Sequence, residues 1–532
     1  MKLSLEAIQA GAGWEGYHLP AYDPVLIERN TDEDPSWLHF GPGNIFRIFP
    51  ALLCQRLIET GSMDTGIVCC EGYDEQVVTR CLRPRDNLTI AVTLDPDGTM
   101  EKEVVASVTE SLTMAFDRER IRELMGKPSL QMVSFTITEK GYSLRDGNSA
   151  LRPDVAEDMA GGPEGCRSFW GQLTAMCLDR RAACGKPLAL VSMDNCSHNG
   201  EKLRRAVLDI AQVWLNNGRI TAADYAYLEE ELSYPWSMID KITPRPHPDV
   251  ERQLLADGLE DVSPIVTDKK TYAAPFVNAE RPQYLVMEDD FPNGRPPLER
   301  VGVIFTDRET VNKVEKMKVC TCLNPLHTAL AVFGCLLGYT SIAEEMHDAD
   351  LSRLVRRLGR EEGMPFVVHP GVLDPEQFLE EVLTVRLPNP FLPDTPQRIV
   401  TDTSQKLAIR FGQTIKACIA SSVHKVGDLR MIPLVLAGWL RYLLGVDDVG
   451  RRFELSPDPR LGEMQKKLAG ITLGGEIREE QLRPILSDAA LWGVDLNECG
   501  LAEEVLRCFQ QLTQEPGAVR ATIKRYVHGE GV

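Results

Sequence analysis

The residues whose types and spacing most clearly suggest chemistry form a short turn with the sequence GPGNIFR, Gly41–Arg47. Gly41 permits a tight turn, and Gly43 lets the backbone approach a ligand closely. A helix that begins immediately afterwards would direct its free N–H groups, including those of Asn44 and Ile45, toward the phosphates of a dinucleotide. This pattern predicts a pyrophosphate-binding turn.

Three nearby residues bear on this prediction. Arg47 lies in the first turn of the expected helix and is expected to add a charged contact. Phe46 occupies the place of the third glycine in the usual GxGxxG fingerprint, so an ordinary tight turn remains the alternative interpretation. Glu71, at the end of the next expected strand, can accept hydrogen bonds from the adenosine ribose and would repel a 2′-phosphate, which favours NAD over NADP. A solvated carboxylate at a strand end is the alternative.

The segments around the turn indicate a β–turn–α–β unit over residues 37–72. WLHFG predicts a buried strand, NIFRIFPALLCQRLIETG has apolar residues at helical spacing up to Gly61, and TGIVCCEG predicts a second buried strand. LTIAVTLDPDGTMEKEVVASV predicts a hairpin around its Asp-Pro-Asp-Gly turn. Further buried strands are expected at Gln131–Thr138 and Leu188–Met193, followed by a helix over Asn199–Asn216.

Beyond about residue 300 the apolar spacing is helical. Helices are predicted at Val314–Tyr339, Ile342–Leu358, Pro375–Val385, Gln405–Ala420 and Pro433–Leu444. We therefore expect an α/β protein with an N-terminal Rossmann-like dinucleotide-binding domain followed by a mainly α-helical C-terminal domain. The expected boundaries are an N-terminal extension over 1–34, an NAD-binding domain over 35–305 and a helical substrate and catalytic domain over 306–532.

Composition restricts the class of protein. Of the 532 residues, 43% are hydrophobic and 26% are charged, which is the balance of packed globular domains. The net charge of −20 argues against nucleic acid or an anionic membrane as a partner, although local basic groups still permit an anionic small substrate. The N-terminus lacks the apolar core of a signal peptide. The most apolar stretches, Leu326–Tyr339 and Met431–Leu444, fall short of the ~20 residues that span a bilayer.

The fourteen cysteines include no CxxC pair. We expect them to be reduced and to act as small apolar core residues. This favours a soluble, cytoplasmic protein.

Five strings resemble the polyol-specific long-chain dehydrogenases, the family of mannitol dehydrogenases, fructuronate (mannonate) reductases and tagaturonate reductases. They are TITEKGY at Thr136–Tyr142, VSMDNCSHNG at Val191–Gly200, YPWSMIDKITP at Tyr234–Pro244, MEDDFPNGRPPLERVGV at Met287–Val303 and LNPLHTALAVFGCLLGY at Leu323–Tyr339. The resemblance runs from about Trp37 to Asp458, with the strings in family order. It implies a substrate cleft between a Rossmann-like and a helical domain, and metal-independent hydride transfer to or from NAD with a lysine as general acid/base.

The resemblance also implies catalytic roles for four residues. Asn195 and Asn324 match the family's asparagines around the reacting oxygen, His327 matches a histidine that contacts the substrate hydroxyl, and Lys318 is the best match to the lysine. Oxidation of a secondary alcohol needs a base for the hydroxyl proton, and two amides can donate hydrogen bonds to the oxygen that becomes negative. Without the family context, a surface lysine, two capping asparagines and a core histidine would be the simpler interpretation.

The spacing of the lysine departs from the family pattern. The usual K-x4-N-x2-H is here K-x5-N-x2-H, because VCTCL separates Lys318 from Asn324. At about 100° per residue, a regular helix would direct Lys318 away from the asparagine. We therefore expect either a one-residue bulge or a helix that starts after Lys318. Lys313 and Lys316 are alternatives that match less well.

Three further residues are expected to bind the substrate. Asp240 and Lys241 lie in a segment that borders the family's cleft, and Arg386 is expected to pair with a substrate carboxylate. Structural ion pairs are the alternative for all three, and Lys406 is a weaker candidate. The form of the GPGNIFRIF string resembles the uronate-reductase and mannitol-phosphate branches, and the WSMIDKITPRP and DTSQK strings resemble the uronate-reductase branch. The resemblance therefore favours NADH-dependent reduction of D-fructuronate to D-mannonate.

Two other functions remain open at this point. One is NAD-dependent oxidation of a polyol such as mannitol or arabinitol, and the other, from a different class, is a catalytically silent nucleotide-binding sensor. A metal-dependent dehydrogenase would need a ligand cluster that no run of the sequence offers. We expect a small-molecule partner, no nucleic acid and no membrane, with the oligomeric state, monomer or dimer, left open.

Overall fold

The computed structural model describes residues 1–529. The chain forms two compact units, Met1–Asn312 and Lys313–Val532, and each is described by itself. The strands of the first unit are β1 Trp37–Phe40, β2 Ile67–Glu71, β3 Thr89–Leu94, β4 Met100–Val105, β5 Val108–Thr113, β6 Met132–Phe135, β7 Leu188–Ser192, β8 Leu232–Ser233, β9 Ser237–Asp240, β10 Ile265–Val266, β11 Tyr272–Ala273, β12 Phe276–Ala279, β13 Tyr284–Glu288 and β14 Ile304–Thr306.

The centre of the first unit is a parallel sheet of six strands in the order β5-β2-β1-β6-β7-β8. Counted along the chain, this is the order 3-2-1-4-5-6 of a Rossmann fold, which confirms the predicted fold class of this half. Trp37 of β1 lies opposite Ile67 on one side and Met132 on the other. The strand order reverses between β1 and β6, and ligands of such sheets bind outside the carboxyl ends of the strands at this point.

The central strands β1, β2, β6 and β7 are buried on both faces. Successive side chains of a strand point to opposite faces, so the residues of β1 divide between two apolar clusters. Leu38 and Phe40 pack with Trp170 and other helical residues, whereas Trp37 packs with Phe46. This burial explains why the strands have continuous apolar sequences rather than alternating ones.

Besides the antiparallel pair of β10 and β11, two smaller sheets complete the strand content described above. The predicted hairpin is present as β3 and β4, with Thr89 opposite Val105, and β12 adds parallel to β3. The second small sheet has the order β14-β13-β9. β5 was not predicted, because its sequence VTESLT has polar residues at the partly exposed edge of the main sheet.

The helices that begin in the first unit are α1 Leu5–Ala10, α2 Pro24–Glu33, α3 Asn44–Ile48, α4 Pro50–Glu59, α5 Arg118–Gly126, α6 Pro153–Gly161, α7 Phe169–Ala183, α8 Asn199–Asn216, α9 Ala222–Ala226, α10 Pro248–Ala256 and α11 Arg308–Met317. α8 has the predicted bounds. The single helix predicted up to Gly61 is instead divided at Phe49, because Pro50 has no N–H to continue the ladder and begins a new helix.

The second unit is helical, as predicted. Its helices are α12 Asn324–Leu337, α13 Ile342–His347, α14 Ala349–Arg357, α15 Pro375–Glu381, α16 Pro396–Ile399, α17 Leu407–Arg410, α18 Gly412–Ala420, α19 Met431–Tyr442, α20 Leu461–Lys467, α21 Glu479–Leu486, α22 Ala489–Trp492, α23 Ala502–Leu512 and α24 Ala518–His528. The helix predicted over Gln405–Ala420 is broken at Phe411. Gly412 there packs so closely that a Cβ would lie 2.3 Å from the carbonyl oxygen of Trp492.

The apolar stretch that begins at Leu326 belongs to a longer helical run than the sequence suggested, Arg308–Leu337. By length and composition this run is long and apolar enough to cross a membrane, but most of its apolar part is buried inside the protein. This burial is typical of a core helix. None of the fourteen cysteines, all within the described residues, forms a disulfide, and most are buried.

Candidate active site

The turn Gly41–Arg47 lies at the carboxyl end of β1, where the strand order reverses. Gly41 has a φ of +89°, and a Cβ at this position would lie 2.3 Å from the carbonyl oxygen of Thr136. Both facts exclude a side chain. Thr136 also donates from Oγ1 to the carbonyl oxygen of Gly41 at 2.7 Å, so the turn is fixed against the residue that follows β6.

Unlike Gly41, Gly43 lies at a position whose backbone conformation and surroundings would accept a side chain. Its φ of −76° is open to other residues, and the nearest neighbour of a Cβ there would lie 3.9 Å away. Gly43 is exposed, with Asn44 and Ile45 half-buried beside it, and the first N–H groups of α3 have no partner within the helix. The protein itself does not need glycine at this position, and the open space in front of the helix fits the phosphates of a dinucleotide.

Phe46, in the place of the third glycine, is fully buried and stacks on His39 with ring centroids 3.8 Å apart. The ring nitrogens of His39 lie 2.7 Å from the Ser134 hydroxyl and 3.0 Å from the Thr136 hydroxyl. Burial lowers the pKa of His39 to about 3, so the ring is neutral. The stacked rings of His39 and Phe46 pack beneath the backbone of the turn on its buried side. The role of His39 was not predicted from the sequence.

Arg47 lies inside the protein rather than on the surface of the turn. Its guanidinium donates to the carbonyl oxygen of Ala274 at 2.7 Å and to Oδ1 of Asn44 at 2.9 Å, and burial lowers its pKa. Asn44 in turn donates to the carbonyl oxygen of Pro244 at 3.1 Å. The prediction that Arg47 contacts the phosphate is therefore corrected. Arg47 instead binds Asn44 and stabilises the start of α3.

Glu71 ends β2 and is buried. Its Oε1 accepts hydrogen bonds from the backbone N–H groups of Tyr73 at 2.7 Å and Asp74 at 3.1 Å. Burial raises the pKa of this carboxyl. Glu71 is thus not a solvated carboxylate: one oxygen stabilises the turn after β2, at the strand end where the adenosine ribose lies in Rossmann folds.

Asn195 is exposed beyond the end of β7, and it follows the buried Asp194. The carboxylate of Asp194 accepts from the N–H groups of Ile137 and Thr138, both at 2.9 Å, and from the hydroxyl of Tyr142 at 2.6 Å. Thr138 has a φ of +66°, which is unfavourable for a β-branched residue. Asp194 therefore holds a strained turn after β6, a role that the sequence analysis did not identify.

Asp240 and Lys241 lie at the end of β9. Asp240 is buried and stands opposite Tyr284 in the sheet. Lys241 donates from Nζ to the carbonyl oxygen of Glu280 and to Oε1 of Gln283, both at 2.9 Å. These contacts favour the structural alternative for Lys241, whereas substrate binding by Asp240 stays a prediction.

In the second unit, Lys318 begins a π turn, Lys318–Cys322, directly before α12. Its carbonyl oxygen accepts from the N–H of Leu323 at 3.1 Å, which is the i→i+5 bond of such a turn. The wider turn takes up the additional residue before Asn324 and confirms the bulge that the spacing suggested. Lys318 is buried whereas Lys316 is exposed, which favours Lys318 as the family's lysine.

Asn324 is the first residue of α12, and His327 lies three residues further on the same face. Nε2 of His327 lies 3.3 Å from Oδ2 of Asp394, yet this buried nitrogen makes no hydrogen bond within the described chain. Burial, together with the charge of Arg410, lowers the pKa of His327 to about 3. The result is a neutral imidazole with a nitrogen left for a substrate hydroxyl.

Positive charge is concentrated around this histidine. The cations whose charge lowers its pKa are Arg386, Arg398, Lys406 and Arg410. Burial lowers the pKa of Arg410 to about 10, and its hydrogen-bond partner within residues 1–529 is the Thr328 hydroxyl rather than a carboxylate. Arg386 is buried at the end of the π turn Val382–Arg386. The sequence analysis identified Arg386 and, more weakly, Lys406, but it missed Arg398 and Arg410.

The two units thus offer different chemistry. The first holds a dinucleotide turn, and the second holds a buried lysine, an asparagine, a neutral histidine and four nearby cations, of which Arg386 is buried. Such groups can bind an oxygen anion and exchange a proton. In the described part of the chain, no group of three or more His, Cys, Asp or Glu side chains is arranged to hold a metal ion.

Known proteins share this organisation. The sequence model of the mannitol dehydrogenase Rossmann domain matches residues 35–300, and that of the mannitol dehydrogenase C-terminal domain matches residues 310–513. The chain is 49% identical to a D-mannonate oxidoreductase of Thermotoga maritima over 100% of both chains. It is 32% identical to a mannitol 2-dehydrogenase of Pyrenophora tritici-repentis over 85% of this chain and 76% of that relative.

Solved structures agree with the sequence matches. The fold matches a Pseudomonas fluorescens mannitol 2-dehydrogenase in a ternary complex with NAD and D-mannitol, with a TM-score of 0.72 at 26% identity over 99% of this chain and 100% of that one. It also matches a substrate-free D-sorbitol dehydrogenase, with a TM-score of 0.80 at 26% identity over 96% and 98% of the two chains. The Rossmann sheet, the open phosphate turn and these matches together mean that the chain belongs to the mannitol dehydrogenase family and is an NAD-dependent oxidoreductase.

Proposed function

We propose that this chain interconverts D-fructuronate and D-mannonate with NAD as the hydride carrier. The four cations around His327 are the observation that favours a sugar acid over a neutral polyol as the substrate. Arg410 in particular has a hydroxyl rather than a carboxylate as its hydrogen-bond partner among the described residues. A substrate carboxylate accepts charge-assisted hydrogen bonds from such a group, and a neutral polyol does not. The full-length identity to a D-mannonate oxidoreductase supports the same substrate.

We assign the proton transfer to Lys318. When D-fructuronate is reduced, NADH held at the turn Gly41–Ile45 would supply the hydride for the carbonyl carbon. The Lys318 ammonium gives a proton to the oxygen. Asn195 and Asn324 donate hydrogen bonds to that oxygen as its negative charge develops. His327, neutral and with Nε2 unbonded, contacts the neighbouring hydroxyl. In the reverse direction the lysine amine takes the proton of the alcohol.

Lys318→Ala tests this assignment, with the exposed Lys316→Ala as the matched control. We expect Lys318→Ala to lower kcat for D-fructuronate roughly 100-fold or more, as loss of a general acid does, while the Kd for NADH stays unchanged. Lys316→Ala should retain wild-type kcat. Equal losses in the two variants would remove Lys318 from the mechanism.

We also propose that the reaction needs no metal ion, because the described residues offer no ligand group for one. Steady-state rates measured before and after dialysis against EDTA test this point. Unchanged kcat is the expected result, and a loss that zinc or magnesium restores would contradict it.

Oxidation of a neutral polyol is the second candidate, since the chain also matches mannitol 2-dehydrogenases. Assays with D-fructuronate and NADH, and with D-mannitol or arabinitol and NAD, separate the two. Turnover of D-mannitol without turnover of D-fructuronate would establish the alternative. Absence of hydride transfer with every sugar acid and polyol would instead leave a nucleotide-binding sensor.

A further inference from the structure

Two aromatic side chains are exposed beside Glu71. Tyr73 lies two residues beyond the end of β2, and Phe116 lies three residues beyond the end of β5, with exposed fractions of 68% and 75%. The two strands are parallel neighbours, with Glu71 opposite Thr113, so both residues follow the same edge of the sheet. Each ring presents apolar surface whose burial by a ligand would be favourable.

Both residues lie in turns that are already fixed. The N–H of Tyr73 is bonded to Glu71 at 2.7 Å. Phe116 lies in the turn Thr113–Asp117, where the Asp117 carboxylate accepts from the N–H of Thr113 at 2.8 Å and from Arg83 at 2.7 Å. A ligand that stacks on these side chains therefore does not have to order the backbone that carries them.

We propose that Tyr73 and Phe116 form the adenine-binding surface of the NAD site. The phosphate turn after β1 and Glu71 at the end of β2 direct the adenosine half of NAD to this edge, and a purine stacks favourably on aromatic rings. Lys269 lies over the Tyr73 ring, with Nζ 4.9 Å from the ring centroid, which leaves the opposite face for the base.

Gly72, between Glu71 and Tyr73, is also consistent with an adenine-binding surface here. A Cβ at Gly72 would lie 2.7 Å from the ring of Phe169, so glycine lets the backbone lie flat against that ring. The proposal rests on NAD as the cofactor and does not depend on which sugar acid is the substrate.

A third exposed aromatic residue provides a matched control. Tyr272 is 41% exposed, but its ring is covered by the guanidinium of Arg245, 4.1 Å from the centroid. Tyr272→Ala removes an exposed ring from the same unit without touching the proposed surface.

Binding measurements with fragments of the cofactor test the proposal. Calorimetric titrations of the full chain with NADH, ADP-ribose and reduced nicotinamide mononucleotide give three dissociation constants for each variant. In Tyr73→Ala and Phe116→Ala we expect the Kd for NADH and ADP-ribose to rise about fivefold or more, as loss of one base–ring stack does. The Kd for reduced nicotinamide mononucleotide, which has no adenine, should not change.

Two further variants complete the test. Tyr73→Phe keeps the ring and should bind ADP-ribose like the wild type, and Tyr272→Ala should do the same. An unchanged Kd for ADP-ribose in both alanine variants would overturn the proposal, and so would equal weakening of the fragment without adenine. No sugar acid is used, so failure of the D-fructuronate assignment would leave these results unaffected.

Discussion

His327 shows how one set of charges can serve two purposes at the scale of single residues. The cations around it suit a substrate carboxylate. Burial, followed by the charge of these same cations, lowers the pKa of the imidazole to about 3. An imidazolium among these cations would be unfavourable. The histidine therefore stays neutral at physiological pH and keeps an unbonded nitrogen for the substrate.

The free energy of unfolding should fall in acid because of this residue. A pKa lowered from 6.5 to about 3 means that the unfolded chain binds the proton more tightly, so stability is lost as pH falls below about 6.5 and until it reaches the folded value. At pH 5 the loss from His327 is roughly 2 kcal/mol. We expect the Tm difference between pH 7.5 and pH 5 to be smaller in His327→Gln than in the wild type, by several degrees.

The exposed His18 supplies the control for this measurement. His18→Gln should show the pH dependence of the wild type. A His327→Gln variant with the full wild-type decrease in Tm would contradict a buried, neutral imidazole.

The role of a single residue could be predicted from the sequence where the residue type and its spacing alone determine that role. Gly41, Gly43 and the spacing of Asn324 and His327 are visible in the sequence. The direction of Arg47 was not, because a buried arginine bound to Ala274 and an exposed one have the same local pattern. Asp194 and His39 also escaped prediction, since their main hydrogen-bond partners lie 52 or more residues away in the sequence.

At the scale of elements, the phosphate turn contains two glycines with different expected roles: Gly41 is needed for folding, and Gly43 is needed for cofactor binding. Gly41→Ala should lower Tm by about 3 °C or more, because a φ of +89° and a contact at 2.3 Å together cost more than about 1 kcal/mol. Gly43→Ala should leave Tm within about a degree and raise the Kd for NADH about tenfold, equivalent to 1.4 kcal/mol. Thermal unfolding and fluorescence titration with NADH measure the two effects.

The two alanine variants control for each other. If Gly43→Ala unfolds at a lower temperature than Gly41→Ala, or binds NADH like the wild type, the turn is an ordinary tight turn and not the phosphate site.

Helices and strands with a clear hydrophobic periodicity were predicted well, whereas the π turn and the breaks between helices were not. α8 and the β3–β4 hairpin follow directly from sequence periodicity. The π turn before α12 was foreseen only as one of two ways to accommodate an additional residue, because the i→i+5 bond of Lys318 leaves no signature in the apolar pattern. The breaks at Phe49 and Phe411 depend on a proline and on a packed glycine, respectively.

The whole molecule carries a net charge of −20, yet its candidate substrate site is basic. Overall charge excluded nucleic acid as an expected partner but gave no indication of the local cations, because Arg398 and Arg410 become neighbours of His327 only in the folded chain. Fold class and cofactor could thus be predicted from sequence, whereas the electrostatic basis for substrate choice could not.

Loss of one of these cations should weaken the reaction with an anionic substrate. We expect Arg410→Gln to lower kcat/KM for D-fructuronate roughly 30-fold, or about 2 kcal/mol, because a buried charge pair is removed. Lys416→Gln, which removes an exposed positive charge from α18, should stay within about twofold of the wild type. Equal values for the two variants would mean that Arg410 does not recognise the carboxylate.

The preference of this enzyme for a sugar acid is measured by the ratio of kcat/KM for D-fructuronate to kcat/KM for D-fructose, both with NADH. The two ketoses differ in a carboxylate in place of a terminal hydroxymethyl group. We predict a ratio of about 100 or more in favour of D-fructuronate, because a neutral ketose offers no carboxylate to Arg410, whose partner among the described residues is a hydroxyl. A ratio near one, or a preference for D-fructose, would contradict the account.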